Sequence, residues 1–243
     1  MNATVLSRAS RAALISVALF VTFGALQLRS QGAADLQARV AELKESQAKN
    51  KQALAQYSWV ETVKIILKGE EKKTEHFKVQ QGPDGKPVKT PLDPQEPAAQ
   101  QASGGRLKQR VVAKKKEEYK EYADQIKALI QQYVPPEKDL IEQARQKGNI
   151  MMGPAAGAPG QYRLVLSNYV KQGDNMTLVV DKAQKDLASL SIATYLDDPK
   201  DAVNVTVQFA RVPNGPNHVS AETINGVSKQ LTIAIQNSNY QHL

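Results

Sequence analysis

The chain has 243 residues, of which 41% are hydrophobic and 23% charged, and it contains no cysteine. That composition is globular and long enough for one sizeable core or two small ones. It excludes a disulfide scaffold, a thiolate zinc site, a cysteine nucleophile and a lipid anchor on an N-terminal cysteine. Three of the 32 basic residues (Arg8, Arg11 and Arg29) precede all 24 acidic residues, which leaves +5 of the +8 net charge to the rest of the chain. With no basic stripe interleaved with aromatics, that excess reads as a solvated surface and not as a nucleic-acid face.

The first element is a leader. "MNATVLSRASR" supplies the positive start, Ala12 to Leu26 run without a charge, and "QGAAD" offers Gly32 and Ala34 as small residues before a cut at Asp35. These are the three parts of a secretory signal. The apolar run is short against the roughly 20 residues that cross a bilayer. Two readings stand: residues 1–34 are a cleaved signal, or residues 12–28 remain as an inner-membrane anchor. Both place the rest of the chain outside the cytoplasm, in the periplasm or otherwise exported. Membrane contact is then expected only through an uncleaved N-terminal segment.

Residues 35–243 read as a single exported domain. "DLQARVAELKESQAKNKQALAQY" is built of helix formers. Its narrow apolar seam of Leu36, Val40, Leu43 and Leu54 is interrupted by Gln47 and Asn50. "YSWVETVKIIL" alternates with period two, which marks a half-buried strand. Tyr57, Trp59, Val63, Ile65 and Leu67 share its apolar face with one carboxylate, Glu61. "KGEEKK" is the expected turn, and "TEHFKVQQ" returns with Phe77 and Val79 on one face. After the "GPDGKP" turn, residues 92–105 lose periodicity and read as a flexible surface loop.

Residues 106–148 read as a helical pair. Tyr119, Tyr122, Ile126, Leu129 and Tyr133 recur at steps of three and four, one face of a helix. "VPPEKDLIEQARQKG" gives a shorter helix with Pro136 in its first turn and Gly148 at its stop. Residues 149–160 are expected as a Gly/Pro linker. Six runs then follow at tight-turn spacing to the C-terminus, an antiparallel meander. Val203, Val205, Val207 and Phe209 point one way, and Asn225-Gly226 gives the clearest two-residue hairpin signal. The fold class is therefore mainly β with α (α+β). It is expected as one curved antiparallel sheet, a half-barrel of about eight or nine strands, with an N-terminal helix and with two helices inserted between the early and late strands to cover its inner face.

No catalytic residue, metal site or cofactor is marked. His76, His218 and His242 are the only histidines and none is paired at helical spacing. No G-x-S-x-G is present. The acidic run Asp197 to Asp201 lacks calcium-loop spacing and reads as a turn. Glu61 is the sharpest question: paired at a rim it is structural, alone in an apolar pocket it would hold its proton more tightly.

The order of elements resembles the outer-membrane lipoprotein carrier and receptor family, from about Asp35 to Tyr240. "YSWVETVKIILKGEEKKTEHFKVQQGPDGKPVKTPL" and "YLDDPKDAVNVTVQFARVPNG" are also similar to exported bacterial proteins of no established activity. The resemblance to the carriers implies an incomplete antiparallel barrel plugged by helices. It also implies a non-enzymatic role, the binding of a lipid, a lipoprotein acyl chain or another apolar ligand between sheet and helices. The candidate lining is Trp59, Val63, Ile65, Phe77, Tyr122, Ile126, Leu129, Val205, Val207 and Phe209. The alternative is a structural or interaction module of the cell envelope with a filled core and a protein partner. A carboxylate-dependent hydrolase is a third reading.

Overall fold

The structure is a computed structural model that describes residues 36–83, 85–93 and 106–243. The expected leader and most of the expected 92–105 loop lie outside the described residues. The chain divides into two units between Glu45 and Ser46, within helix α1 (36–54). No helix among the described residues is long and apolar enough to cross a membrane.

The second unit is organised by one ten-stranded antiparallel sheet. Its strands are β1 (Tyr57–Leu67), β2 (Glu70–Gln81), β3 (Pro87–Pro91), β4 (Ile150–Pro154), β5 (Gln161–Ser167), β6 (Asn175–Asp181), β7 (Asp186–Tyr195), β8 (Ala202–Arg211), β9 (Asn217–Gly226) and β10 (Leu231–His242). Their spatial order is β3-β2-β1-β10-β9-β8-β7-β6-β5-β4. Ten strands among the described residues, not eight or nine, correct the expected count. The extra strand comes from the segment expected as a linker. Ile150 to Pro154 pair residue for residue with Leu166 to Tyr162, so pairing with β5 overrides a Met-, Gly- and Pro-rich composition that locally reads as loop.

Two turns also differ from expectation. The β1–β2 hairpin turns on Lys68 and Gly69 alone, both at positive φ, and Glu70 to Lys73 are strand. A two-residue turn with both φ positive matches the twist of the strands it joins. Asn225 and Gly226, in contrast, are not a turn. They lie in β9, Gly226 pairs with Leu231, and residues 227–230 make the loop. The glycine is there for a close approach. A Cβ on Gly226 would sit 2.5 Å from Tyr122 Cε1 and 2.8 Å from Ile126 Cδ1.

That approach belongs to α2 (Arg106–Ile130), which with α3 (Lys138–Gln146) joins the two opposite edges of the sheet. The crossing is about 40 Å at the usual strand spacing, and 25 helical residues supply most of it at 1.5 Å each. Tyr122, Ile126, Leu129 and Tyr133 are all buried. Tyr122 donates to Asp201 (2.8 Å) in the β7–β8 turn, the acidic run that sequence suggested only as a turn, and accepts from Ser228 (3.0 Å) in the β9–β10 loop. Tyr133 donates to Asp174 (2.6 Å) in the β5–β6 turn, where Asp174 also accepts the backbone N–H groups of Val170 (2.9 Å) and Lys171 (2.8 Å). The helix thus walks along the turns at one end of the sheet towards the β4 edge. Residues 46–54 of α1 serve the other end. Ser46 and Asn50 bond Asp186, which also pairs with Arg211, and Asn217 N–H donates to Asn50 Oδ1 (3.0 Å).

Candidate functional site

Cross-strand partners in an antiparallel sheet share a face, so the registers define rows. One row runs Leu164, Leu178, Leu190, Val207, Glu222, Ile235, Val63 and Glu75. The next runs Leu166, Met176, Ile192, Val205, Ile224, Ile233, Ile65 and Lys73. Burial falls along both. From β5 to β8 every apolar member is buried. From β9 to β2, Ile224, Ile233, Ile235, Val63, Ile65 and Phe77 are only half-buried. The face therefore has a closed half and a half-covered half.

The ten expected lining residues divide accordingly. Val63, Ile65 and Phe77 lie on the half-covered part, with Trp59 buried at its end. Val205 and Val207 lie in the closed half, and Phe209 follows a β-bulge and is half-buried. Tyr122 and Ile126 are packed at the turn end against Gly226, and Leu129, one turn further along the helix, is buried as well.

Three carboxylates lie on the half-covered part: Glu75 at its β2 end, paired with Lys73 (2.6 Å), and Glu61 and Glu222 further in. Glu61 is 7% exposed and sits opposite Phe77 and Asn237. Lys89 on the edge strand β3 reaches it across the Phe77 ring (5.9 Å to the centroid) and forms an ion pair. Sequence alone left Glu61 open between a paired and a lone carboxylate; it is paired. Glu222 sits opposite Val207 and Ile235. Burial raises its carboxyl above the usual range, the Glu61 charge raises it further and Lys89 partly offsets both. Sequence reasoning missed Glu222. Its spacing of two from Ile224 was the available signal, but the bulge opposite Gln208 and Phe209 breaks the alternation upstream of it.

An aromatic ladder closes this end. Trp59 stacks on Tyr240 (5.5 Å, 18°), and Tyr240 lies 3.9 Å from the His218 ring. Burial, then the Glu61 charge, push the Tyr240 hydroxyl well above its ordinary pKa. Burial lowers His218, which the Val219 carbonyl partly offsets. Among the described residues, two buried side-chain atoms here have no partner, Trp59 Nε1 and Asn237 Oδ1. A groove of about 470 Å³ opens beside the ladder, lined by Ser58, Trp59, Val60, Leu92, Tyr240 and Gln241 among others. Among the described residues no group of three or more His, Asp or Glu is placed to hold a metal ion.

No family model and no curated protein matches the chain. Two solved structures are similar to it. A DUF1329 family protein from Desulfovibrio piger has a TM-score of 0.39 and 12% identity, over 80% of this chain and 89% of its own. A LolA superfamily protein from Nitrosomonas europaea has a TM-score of 0.38 and 8% identity, over 82% of this chain and 93% of its own. The resemblance read from the order of elements thus meets a LolA superfamily protein among the similar structures. At these scores it transfers no ligand, residue or activity.

Proposed function

We propose that this is an exported, non-enzymatic binding protein that takes an apolar chain, such as a lipid or a lipoprotein acyl chain, on the half-covered face of β9, β10, β1 and β2. Residues 1–34 act as signal or anchor, and residues 35–243 work in the periplasm. One observation carries the reading: two apolar rows, continuous with a fully packed core, run out into a stretch where the same residue types are half-exposed. Covering that stretch is worth about 0.8 kcal/mol per methylene buried. Trp59, Val63, Ile65 and Phe77 are the wall of the site in this reading. Val205 and Val207 support it from the closed half.

Organic extraction of the protein purified without detergent, followed by mass spectrometry, tests it. A stoichiometric lipid is expected, or saturable uptake of dodecanol by lipid-free protein. Neither lipid nor uptake would remove the reading. The solid packing of the β5–β8 half favours a second one, an envelope interaction module, for which a specific envelope protein in place of lipid is the expected capture. The ion pair that Glu61 makes with Lys89 speaks against the hydrolase reading.

A further inference from the structure

The acids on the half-covered face are unevenly satisfied. Glu61 has Lys89. Among the described residues nothing bonds or pairs with Glu222, although it stands between Val207 and Ile235 on an apolar face. Glu75 and Lys73 at the β2 end pair with each other (2.6 Å), so among the described residues Glu61, Glu222 and Lys89 leave the cluster one positive charge short. A half-buried carboxylate on an apolar face loses part of its hydration, and one cation from outside would neutralise it. The undescribed 94–105 segment carries no Lys or Arg to do so.

Neighbouring groups give the chemistry of that cation. Asn237 stands across from Glu61, and its Oδ1 is buried and unpartnered. Lys89 takes only one oxygen of Glu61. Two acceptors are therefore open to a ligand, the Glu222 carboxylate and the second Glu61 oxygen, while Asn237 Oδ1 is closed to solvent. A primary ammonium has three donors and no acceptor. The apolar surface beside the acids is three strands broad, about 10 Å at the usual strand spacing. Charge and shape together specify an amphiphile with a cationic head.

Building on the face-binding reading above, we infer that the ligand is a single-chain amphiphile with a primary ammonium head. The chain lies over Ile224, Ile233, Ile235 and Val63, and the head sits against Glu222. The unpartnered carboxylate selects for the amine and against an anionic head by charge complementarity.

Three probes of equal chain length, dodecylamine, dodecanol and dodecanoate, titrated calorimetrically into the full chain below their aggregation concentrations, test this. Dodecylamine is expected to bind about tenfold or more tightly than dodecanol, with dodecanoate weakest; tenfold corresponds to about 1.4 kcal/mol. In Glu222→Gln the advantage of dodecylamine over dodecanol is expected to disappear. Equal affinities for amine and alcohol on the unmodified protein would overturn the inference, and so would a preference that survives Glu222→Gln. Dodecanol binding without head-group preference would remove this inference and leave the face reading standing. Failure of all three probes would remove both. The three-probe comparison on the unmodified protein needs no variant to fold.

Discussion

Gly226 and Glu222 lie on one strand and are each decided by what stands opposite. A methyl group at 226 would collide with the Tyr122 ring and Ile126. Both neighbours are buried and fixed, Tyr122 by bonds to Asp201 and Ser228. Gly226→Ala is expected to cost about 1–3 kcal/mol, read as a fall in melting temperature. Gly153→Ala, with open space and no positive φ, should stay within about 0.5 kcal/mol. Glu222 acts through its proton. Its folded-state pKa lies above the unfolded value near 4.5, so the folded chain holds a proton that the unfolded chain releases. That contribution is present below about 4.5 and is lost as pH rises through the raised value. The charged groups facing it are Glu61, which raises it, and Lys89, which lowers it. Glu222→Gln is therefore expected to be more stable than the unmodified chain at pH 7, by about 1 kcal/mol, with the gap closing towards pH 4. A gap that widens on acidification would contradict the assignment.

Between residues and whole sheet, legibility depended on whether the signal was local. The alternation from Tyr57 to Leu67 and the stripe from Tyr119 to Tyr133 carry their own period; β1 formed where the period put it, and α2 did so up to Ile130, with Tyr133 in the turn beyond. Asn225-Gly226 carries an equally strong local signal and misled, because the glycine answers to a helix more than 90 residues upstream. β4 was unreadable for the converse reason: nothing in Ile150 to Pro154 says strand until β5 lies beside it. The stripe of α2 also ends unevenly. Its second half is pinned by Tyr122, Ile126, Leu129 and Tyr133, while residues 110–118 are exposed on every side, Val111 and Val112 included. Amides with few buried contacts open at low cost. Hydrogen exchange should therefore be fast over 110–118 and slow over 122–133. Uniform protection along α2 would show that the first half has a cover.

At the scale of the molecule, the pairing of β1 with β10 makes one sheet from two parts of the chain, and no pattern within either strand announces it. Register then sets the same residue type in unequal surroundings. Ile192 on β7 and Ile233 on β10 stand in one row, each one strand beyond the Val205–Ile224 pair. Ile192 is 2% exposed and Ile233 is half-buried. Truncating a fully buried isoleucine to alanine removes transfer energy and leaves a cavity, about 2–5 kcal/mol together. A half-covered side chain has less to lose and leaves a dent open to water. Ile192→Ala is expected to cost about 3 kcal/mol in chemical denaturation and to leave dodecanol affinity unchanged. Ile233→Ala should cost about 1 kcal/mol and weaken dodecanol binding severalfold. Equal stability losses would mean that the β9–β2 half is as closed as the rest. A loss of dodecanol affinity confined to Ile192→Ala would move the site to the other half of the sheet.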